Sequence, residues 1–159
     1  MSIILISACL IGYPCNYKRQ NHYYPELVLR LQQRHILLPV CPEMLGGLDA
    51  PRLPCEIIGG AGQEVLQGTA KVMNIHGEDC TKAFLNGAAR VRQIALNGRI
   101  NIAVLKSNSP SCGLGAIYDG TFQGNKTEGN GVAAEMLLQS GIEVYSEEDY
   151  IVEAMKEIP

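Results

Sequence analysis

Short apolar segments alternate with helical segments along most of this chain, and this alternation restricts the fold more than any other feature. The apolar segments have the length of buried strands, whereas the segments between them carry apolar residues at helical spacing. The predicted strands are Ile3–Ala8, Ile36–Val40, Arg99–Ser107 and Ile142–Ser146. The predicted helices are Pro25–His35, Thr81–Gly98, Gly129–Gly141 and Glu147–Ile158. Strands joined through helices predict an α/β fold of the Rossmann-like kind, a mainly parallel sheet with helices on both faces.

Three features of the sequence fit this alternation less well. Pro39 lies inside the second predicted strand, and a proline there is typical of a strand end or an edge strand. From Cys41 to Gly62 the sequence is rich in proline and glycine, which predicts a long connection with little regular structure. The segment Glu64–Thr81 alternates weakly around Gly68, which predicts a hairpin or a short excursion from the sheet.

Length and composition indicate one globular domain over residues 1–159, with 47% hydrophobic and 18% charged residues. The net charge of −3 argues against a broad nucleic-acid-binding surface. No stretch of the sequence approaches the length of a membrane span. The N-terminal apolar run is too short for a secretion signal and has no basic residues before it. We therefore expect a cytoplasmic protein with reduced cysteines, and the sequence does not indicate an oligomeric state.

Three of the six cysteines follow the first three predicted strands: Cys9, Cys41 and Cys112. Ligand sites of open parallel sheets lie outside the carboxyl ends of the strands, so neighbouring strands would bring these thiols together. Thiolates bind zinc and iron–sulfur clusters, but the sequence has no C-x-x-C pair of the kind that zinc ribbons use. Three thiolates without a fourth suit a 4Fe-4S cluster with one open, Lewis-acidic iron. The alternative is three buried, inert cysteines near the edge of the sheet.

A carboxylate and several hydroxyls flank these cysteines. Glu43 follows Cys41 by two residues and would stand beside the same crevice, where it could act as a general acid–base. The alternative for Glu43 is a loop or helix-cap carboxylate. Ser107, Ser109 and Ser111 could donate hydrogen bonds to the site, or they are ordinary turn residues.

The other polar and sulfur-containing residues receive plainer interpretations. We expect Cys15 to lie near the site without binding metal, and Cys55 and Cys80 to be core or loop thiols. Arg52 either pins its loop through a carboxylate or contacts a phosphate on a substrate. The segment Glu147–Tyr150 is interpreted as a solvated helix start. The histidines are predicted to lie at the surface, far from the strand ends: His22, His35 and His76.

The chain contains, in order, the motifs SACLIGYPCNY, VCPEMLGGLDAPRLPCEI, GEDCT, LKSNSPSCG and IYDGTF. With these motifs it resembles the thiouracil desulfidase family over about residues 3–148. The resemblance implies a 4Fe-4S cluster held by Cys9, Cys41 and Cys112, with one iron left open. It also implies catalytic roles for Glu43 and for one serine of the SPSC stretch, for which we place Ser109 first and Ser111 second.

The reaction that the resemblance implies is a desulfuration without net electron transfer. The thiocarbonyl sulfur of a thiolated pyrimidine binds the open iron, water activated by Glu43 attacks the carbon, and sulfide leaves. The implied partner is a small molecule, because thiouracil, thiouridine and thio-UMP all present the same reacting group.

Two other classes of function stay open from the sequence. A thiol redox protein would use Cys9 and Cys15 as a reactive pair, although their C-x5-C spacing differs from the usual close motif. A zinc- or cluster-binding module would serve as a scaffold or a sensor without catalysis.

Overall fold

The computed structural model describes residues 2–156 of the chain. The strands are β1 (Ser2–Ser7), β2 (His35–Val40), β3 (Cys55–Ile58), β4 (Lys71–Asn74), β5 (Ile102–Leu105), β6 (Ala116–Tyr118), β7 (Lys126–Glu128) and β8 (Glu143–Ser146). The helices are α1 (Pro25–Gln32), α2 (Pro42–Leu45), α3 (Gly62–Gln67), α4 (Thr81–Asn97), α5 (Val132–Gln139) and α6 (Glu147–Lys156). A short 3-10 turn, Ala8–Ile11, follows β1. The last two residues of the predicted terminal helix, 157 and 158, lie outside the described residues.

The four predicted strands form one parallel sheet in the order β2-β1-β5-β8. This confirms the predicted fold class. Pro39 of β2 pairs with Ile6 of β1. Strand β2 lies at an edge of the sheet, where the missing backbone N–H of a proline is tolerated. None of the helices in residues 2–156 has the length and hydrophobicity that a membrane span requires.

Helices cover both faces of this sheet because its strands are apolar on both sides. On one face, sheet residues pack against α4 and α5 in a cluster that includes Leu5, Ala103, Leu105, Val91, Ala95 and Leu137. On the other face, sheet residues pack against α1 and α6 in a cluster that includes Ile4, Ile6, Val104, Leu27, Leu31 and Ile151. The prediction of helices on both faces is therefore confirmed.

The middle of the chain is more regular than its composition predicts. The proline- and glycine-rich connection contains α2 and β3, and β3 pairs with the later β4 in an antiparallel ladder from Cys55↔Asn74 to Ile58↔Lys71. The prediction of a long connection with little regular structure holds for residues 46–54, and it is wrong where α2 and β3 form. The weak alternation around Gly68 reflects α3 followed by β4, not one hairpin. A second antiparallel pair, β6–β7, was not predicted, because the β7 residues are exposed and polar.

Two glycines allow α2 to lie directly against α4. A Cβ atom added to Gly87 would overlap the backbone carbonyl of Pro42, and one added to Gly46 would overlap the carbonyl of Ala83. The backbones of the two helices therefore touch, and only glycine fits at these positions. This contact fixes α2, which carries Glu43 in its first turn.

We expect the substitution Gly87→Ala to destabilise the protein by about 2 kcal/mol or more, because the added methyl group forces two backbones apart. Urea denaturation measures the loss. The exposed neighbour Asn86 supplies the control, since Asn86→Ala should change stability by less than about 0.5 kcal/mol. A Gly87→Ala variant as stable as the parent would show that the helix contact is loose.

Candidate active site

The carboxyl ends of β1, β2 and β5 open into a pocket of about 480 Å³. Its lining includes every residue for which the sequence predicts a role at the site, namely Cys9, Cys41, Cys112, Glu43, Ser109 and Ser111. The pocket lies where ligand crevices of parallel sheets are found. The structure thus brings the predicted residues together, and their roles remain predictions.

Each predicted cysteine reaches the pocket from the turn that follows a strand. Cys9 lies in the 3-10 turn after β1, Cys41 directly precedes α2, and Cys112 lies in the turn after β5. Parallel pairing of the strands delivers the three turns to one edge of the sheet. Cys15 joins them from the loop before α1, where it is buried beside the thiols of Cys9 and Cys41. Its position near the site agrees with the prediction.

The environments of Cys112, Cys41 and Cys15 favour the protonated form of these three thiols. Burial raises the pKa of Cys112 to about 12. A hydrogen bond with the Cys15 thiol, and then burial, raise the pKa of Cys41 well above its usual range. The hydrogen bond with Cys41 lowers the pKa of Cys15. Cys9 and burial outweigh this effect and raise the pKa of Cys15 to about 11. Metal binding at these thiols would therefore release protons.

Both carboxylate oxygens of Glu43 are held by neighbouring donors. The Ser111 hydroxyl donates to Glu43 Oε2 at 2.9 Å, and the Arg52 guanidinium donates from Nε to Oε1 at 3.3 Å. The side chains of Glu43 and Arg52 are 15% and 8% exposed. The lower dielectric of this enclosed site strengthens the attraction between the Glu43 carboxylate and the Arg52 guanidinium. The two donors hold the carboxylate in one orientation. Glu43 is thus aimed into the pocket and does not cap the helix through its own side chain.

The two serines form a chain of hydroxyls that leads to this carboxylate. The backbone N–H of Cys112 donates to Ser109 Oγ at 2.7 Å, and Ser109 Oγ lies 3.3 Å from Ser111 Oγ. A carboxylate only accepts hydrogen bonds, so the Ser111 proton points to Glu43 and Ser109 must donate to Ser111. Of the two candidate serines, Ser111 is the one in contact with Glu43, whereas Ser109 holds the turn that carries Cys112.

Arg52 connects Glu43 to two loops of the pocket wall. Its Nη2 donates to the carbonyl of Cys15 at 2.9 Å, and its Nη1 donates to the carbonyl of Asp49 at 3.2 Å. Its backbone N–H also donates to the carbonyl of Tyr17 at 2.7 Å. The sequence left two roles open for Arg52. The structure shows the first of them, because Arg52 pins its loop through the Glu43 carboxylate.

His22 lies closer to the pocket than the sequence predicted. His22 lines it, and the backbone N–H of His22 donates to the carbonyl of Cys9 at 2.9 Å, so the prediction of a histidine far from the strand ends is wrong. Burial lowers the pKa of His22. The long loop before α1 folds back over the sheet edge and carries His22 there, and no local pattern in the sequence signals this.

Glu147 was interpreted as part of a solvated helix start, and this is wrong, because its side chain is 6% exposed. It accepts hydrogen bonds from the Ser107 hydroxyl at 2.7 Å and from the Ser107 N–H at 2.8 Å, and it pairs with Lys106 at 3.2 Å. Burial opposes its charge, but the bonds from Ser107 and the charge of Lys106 lower its pKa. The pairing of β8 with β5 brings the start of α6 to the turn after β5. Glu147 thereby fixes the beginning of the SNSPSC turn.

Cys55 was interpreted as a core or loop thiol. It is the half-buried first residue of β3, it packs with Cys80 in the third hydrophobic cluster, and it also lines the pocket. Burial, with a smaller contribution from Cys80, raises the pKa of Cys55 to about 12. Cys55 is therefore a fifth thiol of the pocket wall, beside Cys15 and the three strand-end cysteines.

Comparison with known proteins agrees with this geometry. The family profile described as 2-thiouracil desulfurase matches residues 4–149. The chain belongs to the 2-thiouracil desulfurase family. This confirms the resemblance found in the sequence motifs, and the family match covers all the pocket residues named above.

One similar protein is the uncharacterised protein YbbK of Bacillus subtilis (strain 168). It is 45% identical over 147 residues, which is 92% of this chain and 97% of YbbK. A solved structure, the 4Fe-4S-dependent thiouracil desulfidase TudS, is 34% identical and superposes with a TM-score of 0.80. That match covers 99% of this chain and 100% of TudS.

We predict that the protein with its pocket thiols free of metal loses stability in alkaline solution. Folding raises the pKa of Cys112 from 9.0 to about 12, so its contribution is present below pH 9 and is lost as the pH rises toward 12. By pH 10.5 the loss should reach about 1 to 2 kcal/mol for this thiol alone. Urea denaturation at pH 8 and pH 10.5 measures it. The Cys112→Ala variant should lose less stability between pH 8 and pH 10.5. A loss equal to that of the parent would show that the Cys112 thiol is not responsible for it.

Proposed function

We propose that this chain is a 4Fe-4S-dependent desulfidase, which hydrolyses the carbon–sulfur double bond of a thiolated pyrimidine and releases sulfide. The observation that carries the proposal is the convergence of three strand-end cysteines and the Glu43–Ser111 pair on one pocket. Membership of the 2-thiouracil desulfurase family and the likeness to TudS support it. A pocket of about 480 Å³ suits a thiouracil, thiouridine or thio-UMP substrate better than a nucleic acid.

The donor set of the pocket fits an iron–sulfur cluster. Soft thiolates are the ligands of such clusters, and Cys9, Cys41 and Cys112 would hold one. Within residues 2–156, no three Cys, His, Asp or Glu side chains are arranged to hold a single metal ion. We propose that Cys15 stays a neighbour, because a fourth thiolate ligand would leave no open position for a substrate.

When bound, such a cluster would supply an open, Lewis-acidic iron for the thiocarbonyl sulfur. The residues of the chain supply the acid–base chemistry. Glu43 accepts a proton from a water molecule as the water oxygen bonds to the ring carbon, and it returns a proton as the carbon–sulfur bond breaks. The reaction consumes one thiocarbonyl group and one water molecule, and it yields one carbonyl group and one molecule of hydrogen sulfide. No electron is transferred.

The hydrogen bonds of Glu43 suit this role. Each carboxylate oxygen has two acceptor positions, and Ser111 and Arg52 occupy one position on each oxygen. One position on each oxygen is left for a water molecule or a proton. Because both donors come from fixed turns, the carboxylate meets the water in one orientation, which lowers the entropic part of the barrier.

The alternative of a thiol redox protein receives no support from the thiols. A redox pair of Cys9 and Cys15 needs a reactive, low-pKa thiolate. The hydrogen bond with Cys41 lowers the pKa of Cys15, but Cys9 and burial outweigh it and raise this pKa to about 11. A scaffold or sensor has no need of the buried Glu43–Arg52 pair beside the thiols. These observations favour an enzyme.

Turnover of 2-thiouracil by protein reconstituted under anaerobic conditions tests the proposal. We expect uracil and sulfide to form in equal amounts. The Glu43→Gln variant should keep the visible absorbance of the cluster and lose activity by about a hundredfold or more, because an amide cannot take up the proton. The exposed Glu26 on α1 supplies the control, and Glu26→Gln should retain full activity. Full activity in Glu43→Gln would overturn its acid–base role.

A further inference from the structure

We propose that Phe122, in the loop between β6 and β7, is the residue on which the flat ring of the substrate stacks, and that Glu56 positions it. This inference rests on the proposed function, because it concerns the substrate of the same pocket. It begins from the aromatic residues of the chain. The sequence contains two phenylalanines, seven tyrosines and no tryptophan, and Tyr17 and Tyr118 also line the pocket. Phe84 is buried in the core, whereas Phe122 is half-exposed and lines the pocket.

Packing does not explain the presence of a phenylalanine at this position. The third hydrophobic cluster is formed by β3, β4 and the helices that cover them, and Phe122 is not part of it, although Ile117 of the same hairpin is. An aromatic ring that is not needed in the core and faces a pocket is available for a ligand. The flat face of a pyrimidine ring is the complementary surface.

The backbone at this position makes phenylalanine an unfavourable choice. Phe122 has a φ of +58°, in the left-handed region that glycine or asparagine adopts with less strain. A bulky residue in this region costs about 1 kcal/mol or more, and such strain is concentrated at functional sites. The aromatic ring therefore has a role at this position that a glycine or asparagine residue could not fill.

A buried carboxylate holds the loop in this conformation. Glu56 on β3 is 8% exposed, and its Oε1 accepts the backbone N–H groups of Gly120 at 2.9 Å and of Phe122 at 3.2 Å. Hydrogen bonds to a charged group are among the stronger ones in proteins. Glu56 itself lines the pocket, so the anchor and the ring lie on the same wall. The loop is thus fixed at the residue whose side chain would meet the substrate.

The substitution Phe122→Asn separates a binding role from a structural one. Asparagine removes the ring but tolerates the positive φ, so the variant should melt at the same temperature as the parent or higher. Its KM for 2-thiouracil should rise about tenfold, the size of effect that loss of one base–aromatic stack produces. The kcat should stay within about threefold, and the Kd for uracil, measured by calorimetry on the cluster-loaded protein, should rise about tenfold as well.

Four further variants complete the test. Phe122→Tyr keeps the ring and should keep KM within about twofold. Glu56→Ala should raise KM in the same direction as Phe122→Asn, whereas Glu56→Gln, which can still accept both N–H groups, should restore it. Arg99 is the matched control, because it is exposed and also has a positive φ, of 51°. Arg99→Asn should leave KM and the Kd for uracil unchanged.

The outcomes distinguish this inference from the proposed function. Parent-like KM and Kd in Phe122→Asn would overturn the stacking role while turnover by the parent supports the desulfidase. A parent that binds uracil but releases no sulfide would overturn the desulfidase, and weaker uracil binding by Phe122→Asn would still support the stacking role. A parent that neither binds uracil nor releases sulfide would overturn both.

Discussion

Parallel pairing of β1 with β2 on one side and β5 on the other is the constraint on which the site depends. Parallel strands end at the same edge of a sheet, so the turns that follow them meet there whatever their sequence. In this chain each of those turns carries a cysteine. A thiol cluster can therefore form between residues more than a hundred positions apart without any metal-binding motif in the local sequence.

A second set of interactions turns this group of thiols into a candidate for catalysis. The close contact of α2 with α4, made possible by Gly46 and Gly87, fixes the helix that carries Glu43. Arg52 then ties the Glu43 carboxylate to the loop of Cys15, and Ser111 ties it to the turn of Cys112. The carboxylate and the thiols thus share one rigid wall. Such preorganisation is what acid–base chemistry at a bound substrate requires.

The sequence predicted those parts of the structure that depend on local pattern and on the general properties of parallel sheets. The four central strands, the helices on both faces and the convergence of three cysteines belong to this group. The sequence could not predict contacts between distant polar residues, such as Glu147 with the SNSPSC turn, because no periodicity encodes them. The short β7 was missed for a related reason, since three exposed polar residues carry no strand signal. Phe122 lies in the loop before that strand and ends the motif IYDGTF, but the motif alone does not place its ring in the pocket.

The iron and acid-labile sulfide contents of four cysteine variants, reconstituted under anaerobic conditions, test most directly whether the strand-end cysteines hold a cluster. Cys9→Ala, Cys41→Ala and Cys112→Ala should each lose most of the bound iron, because each removes one of three ligands. Cys15→Ala should retain about four iron atoms per chain, since its thiol lies beside the cluster without binding it. Loss of the cluster in Cys15→Ala together with its retention in Cys9→Ala would contradict the assignment.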